Sequence, residues 1–398
     1  MATIVIVGAS LAGAKTAEAL RDQGYDGDLV LIGAEEHRPY ERPPLSKGYL
    51  QGSDDRSSVF VHDEGWYADH SVDLRTGVRA TRIDRDARTV ELDDGTSVGY
   101  DQVVLATGSR PREFPDARGA LYLRTLDDSD RLREAIGGGG RLGIVGAGWI
   151  GLEAAAAARQ AGMDVTVVEP APQPLIGALG PEVGALFADL HRAHGVDLRT
   201  GTKVESVLPD GAGLTLEGGE IVSTAAVLVG IGAIPNIELA KEAGLDIEGG
   251  GVAVDAGLRT SDPAVFAVGD IAAAWHPVLD RRVRVEHWAT ALNQPAVAAA
   301  NLLGGSQQYD RLPYFFSDQY DLGMEYVGLA DDYDSVVLRG SAESGEYVAF
   351  WLASDGRVLA AMNANVWDVG DAVRELIGSG RPVDAARLAD TAVPLSEV

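Results

Sequence analysis

TIVIVGASLAG, residues 3–13, decides the fold. Five β-favouring residues run into Gly8, Ser10 and Gly13, and a helix predicted over about 11–23 opens directly behind them. Glycine lets the backbone turn tightly, and the first N–H groups of the helix then face whatever sits at the turn, which suits a pyrophosphate. The stretch reads as a dinucleotide cradle, with Ser10 where the strict spacing has a second glycine. DLVLIG at 28–33, set off by Gly24 and Gly27, completes a strand–helix–strand unit. Glu35 comes next, roughly 20 residues beyond the glycines, where a carboxylate can accept hydrogen bonds from a ribose. Glu36 is the second choice for that role.

The pattern occurs twice. RLGIVGAGWIGLEAAAAARQAGMDVTVVEP, 141–170, again gives strand, glycine turn, helix and strand, now with the full spacing at Gly146, Gly148 and Gly151. Glu169 ends its second strand, at the ribose position. A second unit of this kind, stronger than the first, is hard to explain on packing grounds alone. A ligand with a 2′-phosphate would call for a cation near Glu169, and the adjoining PAPQPLIG has none, so NADH is favoured over NADPH.

Bulk properties narrow the class. A chain of 398 residues should hold two or three domains, and an apolar content of 46 % without a long uninterrupted apolar run places it among globular proteins. The first strand begins by residue 3, which leaves no room for a signal segment, so a cytoplasmic location is expected. The absence of cysteine removes disulfides, thiolate metal sites and every dithiol or sulfenate mechanism, so redox chemistry must belong to a bound cofactor. A formal charge of −27 argues against nucleic acid or an anionic membrane as partner.

The remaining stretches are placed around the two cradles. In HRPYERPPLSKGYL, 37–50, Pro43 and Pro44 stiffen a loop carrying Arg42 and Lys47, fixed cations suited to the far end of a dinucleotide. Residues 72–112 are β-rich, and the small-residue turn Ala106-Thr107-Gly108 lets backbone approach a second face of the same ligand. Short strands return over 195–235. TSDPAVFAVGD, 260–270, sets an apolar strand before Gly269 and Asp270, whose carboxylate can meet ribityl or pyrophosphate groups. The last segment, 320–398, alternates aromatics and reads as an antiparallel sheet with a helix near 368–378. His191 and His194, three apart on a predicted helix, read as a solvated face, and no metal is expected.

GASLAG, PYERPPLSK, ATGSRPR, LRTL (123–126), GAGWIGLE, GIGAIPN, TSDPAVFAVGD, RVEHW (284–288) and FFSDQYD (315–321) occur in this order along the whole chain. As an ordered set they resemble the FAD-dependent, NADH-using ferredoxin reductases of bacterial cytochrome P450 and aromatic-dioxygenase systems. The resemblance implies an α/β protein with two Rossmann-like, glutathione-reductase-like domains. These are an FAD domain (1–112 and 245–319) interrupted by an NAD domain (113–244), with an α+β C-terminal interface domain (320–398) after them. It implies Gly8, Ser10, Leu11, Ala12 and Gly13 at the FAD pyrophosphate and Glu35 at its ribose. Arg42, Lys47, Thr107, Gly108, Arg124, Asp270 and Trp288 would complete the FAD site. On the NAD side it implies Gly146, Gly148, Trp149, Ile150 and Gly151 at the pyrophosphate, Glu169 at the ribose and Gly232 beside the nicotinamide. Lys47 and Glu153 are expected as an ion pair at the reactive edge of the flavin, where a cation favours the reduced, anionic form.

The activity implied is hydride transfer from NADH to FAD, then single-electron release to a small iron–sulfur ferredoxin. An NADH oxidase or quinone reductase, and an apoptosis-inducing-factor-like NADH-responsive protein, are the alternatives. Such ferredoxins are usually acidic, so docking on this acidic chain requires a local basic cluster; Arg281 and Arg282 form its only dense one, with Arg38 as a further contributor. A monomer or weak homodimer is expected. Phe316 and Gly177 depart from the pattern, standing where many relatives have tryptophan and arginine.

Overall fold

The computed structural model describes residues 2–398. It falls into two compact units: one takes the segments up to Arg42, Arg56–Arg110 and Ile234–Pro313, the other Pro43–Asp55, Pro111–Ala233 and Tyr314–Val398.

The first unit is built on a parallel five-stranded sheet in the order Val265–Ala267, Gln102–Leu105, Thr3–Val7, Asp28–Ile32, Val72–Arg75. Thr3–Val7 lies at the centre and is buried on both faces, which is why it reads as an unbroken apolar run rather than an alternation. Ile4, Ile6, Leu29, Leu31, Val103 and Phe266 form the sheet's core, each at most 2 % exposed. The helix Leu11–Asp22 covers one face and packs against Trp288–Leu302.

The second unit contains a parallel four-stranded sheet in the order Asp197–Thr200, Asp164–Glu169, Arg141–Val145, Ala226–Val229. Counted along the chain this is third, second, first, fourth, the same order as the first four strands of the first unit, which adds its fifth, Val265–Ala267, beyond the fourth. Each sheet also inserts a three-stranded antiparallel meander between its third and fourth strands, Ala80–Gly99 in one and Val204–Ser223 in the other. The sequence repeat is therefore a repeat of topology, with the order reversing beside the first strand of each sheet, where such folds bind nucleotides.

Tyr314–Gln319, Leu322–Gly328, Val358–Ala364, Glu346–Leu352 and Ser335–Ser341 make an antiparallel five-stranded sheet, in that order, with Gly370–Ser379 as its helix. This differs from the expected boundary at residue 320: Tyr314–Gln319 pairs with Leu322–Gly328 and is the edge strand of the C-terminal sheet. The loop Pro43–Asp55 groups with the second unit rather than with the first glycine turn, and residues 234–244 group with the first. Among the described residues, no helix is long and apolar enough to cross a membrane.

Candidate nucleotide sites and the Lys47–Glu153 pair

The glycines of the first cradle are dictated by close backbone approach. Gly8 has φ 121°, and a Cβ there would lie 2.0 Å from the Ala106 carbonyl oxygen; a Cβ on Gly13 would lie 1.9 Å from the Gly8 oxygen. Ser10 is the extended N-cap residue of Leu11–Asp22, makes no side-chain capping bond, and has no acid behind it in the first turn. The helix N-terminus thus presents N–H groups that the chain's own carboxylates leave to an anion. Thr107 and Gly108, the latter at φ 63°, come just after the neighbouring strand. Thr107 is fixed there by donating to the Asn236 oxygen at 2.6 Å and accepting from Asn236 Nδ2 at 2.9 Å.

Glu35 is oriented by side chains. Its Oε1 accepts from Arg42 Nη2 at 2.6 Å, and its Oε2 accepts from the hydroxyl of Tyr40, a buried residue the motif reading did not single out. Asp270 is 9 % exposed and accepts from Ser109 Oγ at 2.9 Å, while Trp288 Nε1 donates to Glu41 at 2.9 Å. The first unit therefore carries Gly8, Ser10 to Gly13, Glu35, Arg42, Thr107, Gly108, Asp270 and Trp288. Lys47 and Arg124, expected with them, belong to the second unit.

The second cradle repeats the geometry. Gly146 has φ 97°, and Cβ atoms on Gly146 and Gly151 would lie 2.5 Å from the Gly230 oxygen and 2.2 Å from the Gly146 oxygen. Gly148 is the N-cap of Trp149–Gln160, again without a side-chain capping bond or an acid in the first turn. A Cβ on Gly148 would meet nothing nearer than 3.8 Å, and one on Gly232 (φ 105°) nothing within 4 Å, so space is left in front of both. Here the carboxylate is oriented by backbone: Glu169 accepts from the Ala147 N–H at 2.8 Å and the Ala171 N–H at 2.9 Å, which lays it against the glycine turn. Trp149 is held edge-on by Phe187 and Phe315, and Ile150 is exposed.

Lys47 and Glu153 do pair. Lys47 Nζ lies 2.8 Å from Glu153 Oε1, with the two side chains 15 % and 4 % exposed. Glu153 also accepts from Ser46 Oγ and, at 2.6 Å, from Ser317 Oγ. Pro43 and Pro44 set the short helical turn Pro43–Ser46 that aims Ser46 and Lys47 at this carboxylate. Lys47 Nζ also stands 5.3 Å from the centre of the Phe316 ring. Removing either charge would strand the other in a buried position, at a cost of about 3–5 kcal/mol.

One expectation fails, and one residue is engaged in a way that the sequence does not show. His191 is 0 % exposed and hydrogen-bonded to Gln319, so it belongs to the interior and not to a solvated face. The helical spacing is as expected; what covers it, the C-terminal strand, is more than a hundred residues away in sequence. Arg282 spends its guanidinium within its own sheet, on Glu248 at 2.7 Å and on the carbonyl oxygens of Val254 and Ala273 at 2.7 Å each. It ties the strands of that sheet together. Spacing does not identify Ser46, Ser317 and Tyr40 as carboxylate partners; the signal for Ser317 is a polar residue at an inward position of an alternating strand.

Residues 2–294 match the model of the pyridine nucleotide-disulphide oxidoreductase family. The chain belongs to that family. Residues 314–398 match the reductase C-terminal domain, starting at the strand Tyr314–Gln319. The chain is 45 % identical to the ferredoxin–NAD(+) reductase component of the anthranilate 1,2-dioxygenase system of Burkholderia cepacia, over 98 % of each chain. It is 39 % identical to putidaredoxin reductase of Pseudomonas putida, over 99 % of this chain and 96 % of that one. The reductase in the crystal structure of the covalent putidaredoxin reductase–putidaredoxin complex superposes with a TM-score of 0.95 at 38 % identity, covering 100 % and 97 % of the two chains. Within this oxidoreductase family the chain is one without cysteine, so no protein dithiol takes part in its redox chemistry.

Proposed function

We propose that the protein takes a hydride from NADH onto FAD and passes the electrons singly to a small iron–sulfur ferredoxin that serves an oxygenase. The observation that carries this reading is the pair of cradles of one topology, each with a glycine turn, an uncapped helix N-terminus and an oriented carboxylate, in a chain with no thiol. FAD, when bound, supplies the chemistry of accepting an electron pair and releasing it one electron at a time. The chain's residues bind and orient. Ser10 to Gly13 would hold the FAD pyrophosphate, Glu35 with Arg42 and Tyr40 its ribose, and Asp270, Thr107, Gly108 and Trp288 the remainder. Gly146 to Gly151 hold the NADH pyrophosphate, Glu169 its ribose, and Gly232 leaves room beside the nicotinamide. Lys47, fixed by Glu153, would supply a positive charge that favours an anionic flavin.

Ferredoxin docking is proposed at the hairpin Ala272–Val283 through Arg281, with Arg282 holding the hairpin's shape. The test is anaerobic stopped-flow reduction by NADH, then cytochrome reduction with and without added ferredoxin. Flavin reduced by NADH and reoxidised at least tenfold faster by ferredoxin than by oxygen or a quinone is the expected result. Equal rates would make the protein an oxidase or quinone reductase instead. Arg281→Glu is expected to weaken the ferredoxin-dependent rate while sparing ferricyanide reduction.

A further inference from the structure

Glu153 is the inner end of a polar chain longer than the ion pair. Ser317 Oγ donates to Glu153 Oε1 at 2.6 Å, Gln319 Nε2 donates to Ser317 Oγ at 3.1 Å, and Gln319 Oε1 meets His191 Nε2 at 2.8 Å. His191 Nδ1 in turn lies 3.2 Å from the Tyr320 hydroxyl, whose ring stacks on His194 with centroids 3.7 Å apart. Ser317 and Gln319 are neighbours on one face of Tyr314–Gln319, each 1 % exposed, and His191 is 0 % exposed on the last turn of Ile176–Ala193. None of these groups has a part in the reaction proposed above.

The donors have one consistent direction. Gln319 Oε1 can only accept, so His191 carries its proton on Nε2; its Nδ1 is then an acceptor for the Tyr320 O–H. Every proton in the chain, from Tyr320 through His191, Gln319 and Ser317, points toward the Glu153 carboxylate, an arrangement in which each bond polarises the next. An amide in the middle does not hand protons on without leaving its stable form, so what the chain transmits is orientation. We propose that Ser317, Gln319 and His191 are positioning residues that fix the Glu153 carboxylate and, through it, the Lys47 ammonium. Burial supports this by holding His191 down to about 4, which keeps the imidazole neutral, while the Gln319 oxygen selects its tautomer.

This inference rests on the function proposed above for its kinetic consequence but not for its structural one, and the two are read separately. The chain has four lysines, so the flavin-loaded enzyme grown with 13Cε-lysine gives few signals, and the Lys47 methylene protons feel the ring current of Phe316. Gln319→Leu and His191→Leu are expected to move the Lys47 signal by the same amount, and the double variant no further, with Lys15, Lys203 and Lys241 unchanged. His191→Gln, which keeps a donor for Gln319, is expected to restore it. Ser317→Ala gives the same shift if the larger changes unfold the protein. In parallel, the limiting rate of flavin reduction should fall about fivefold with the NADH dissociation constant within about twofold of wild type. A Lys47 signal that does not move, or shifts that add across the two sites, overturns the proposal whatever the rate does. A Lys47 signal that moves while flavin reduction is unaltered upholds the positioning chain and breaks the placement of Lys47 beside the flavin.

Discussion

The two cradles have one strand order and one glycine geometry, yet they hold the carboxylates proposed for the ribose differently. Glu35 is gripped by the side chains of Arg42 and Tyr40, Glu169 by the backbone N–H groups of Ala147 and Ala171. A side-chain grip neutralises the carboxylate with a guanidinium and ties it to the neighbouring loop. A backbone grip leaves its charge in place and depends only on the turn. The first arrangement suits a ligand that stays, the second one that comes and goes. The comparison teaches that a repeated motif constrains the turn closely and the surroundings hardly at all.

The largest effect that would sharpen this contrast is at Gly8. Gly8→Ala forces a side chain onto the Ala106 carbonyl at a positive φ, so we expect loss of about 4 kcal/mol or more and protein purified without flavin, checked by denaturant unfolding and by the flavin absorbance. Unaltered flavin content would remove the steric argument for the first cradle.

A second contrast lies just beyond the second strand of each sheet. The first unit continues with the one-turn helices Arg56–Val59 and Trp66–Asp69, whereas the second places the long kinked helix Ile176–Ala193 there, with His191 buried on it. His191 is held down to about 4 by burial, against about 6.5 in the unfolded chain. Between those values the unfolded chain binds the proton and the folded one does not, so stability falls as pH drops from about 6.5 toward 4, by up to about 3 kcal/mol, and the loss is absent above this window. Denaturant midpoints of wild type and His191→Gln at neutral pH and near the lower end of that window check this; the variant should lose less on acidification.

The ribose carboxylates give a crossed pair. Glu169→Ala is expected to raise the KM for NADH about tenfold, or about 1.4 kcal/mol, and to leave flavin content intact, whereas Glu35→Ala lowers flavin content and leaves the KM of the loaded fraction unchanged. Steady-state kinetics normalised to bound flavin separate the two. Both variants affecting the same ligand would break the assignment of one cradle to each nucleotide.

The smallest effect is expected at Gly148, where φ is ordinary and a Cβ would touch nothing nearer than 3.8 Å. Gly148→Ala should fold and bind flavin normally and raise the KM for NADH about threefold, by crowding the pyrophosphate alone. A Gly148→Ala protein as unstable as Gly8→Ala would show that the second turn is glycine-rich for packing rather than for a ligand.

Much of this is legible in the sequence because the signals are local. A strand buried on both faces is an apolar run, a positive φ asks for glycine, and a carboxylate at or just beyond the end of a second strand sits at the C-terminal end of the sheet, so Gly8, Gly13, Glu35, Gly146, Gly151 and Glu169 can be named from spacing. Local signals carry no information about distant cover. That is why His191 reads as solvated, why Arg282 reads as a free cation although Glu248 and two carbonyls claim it, and why the edge strand Tyr314–Gln319 reads as part of the wrong domain.

The sequence by itself determined that the glycine-turn pattern of a nucleotide cradle occurs twice and that no thiol chemistry is available, and the family resemblance added Lys47 and Glu153 as partners worth seeking. Only the tertiary structure decided what holds them. The carboxylate of Glu153 is fixed by Ser46 from 107 residues away and by Ser317 from 164, and Ser317 is in turn backed by Gln319 and His191. A hydrogen bond is set by angstroms in space, and separations of that size along a chain leave no trace in its spacing.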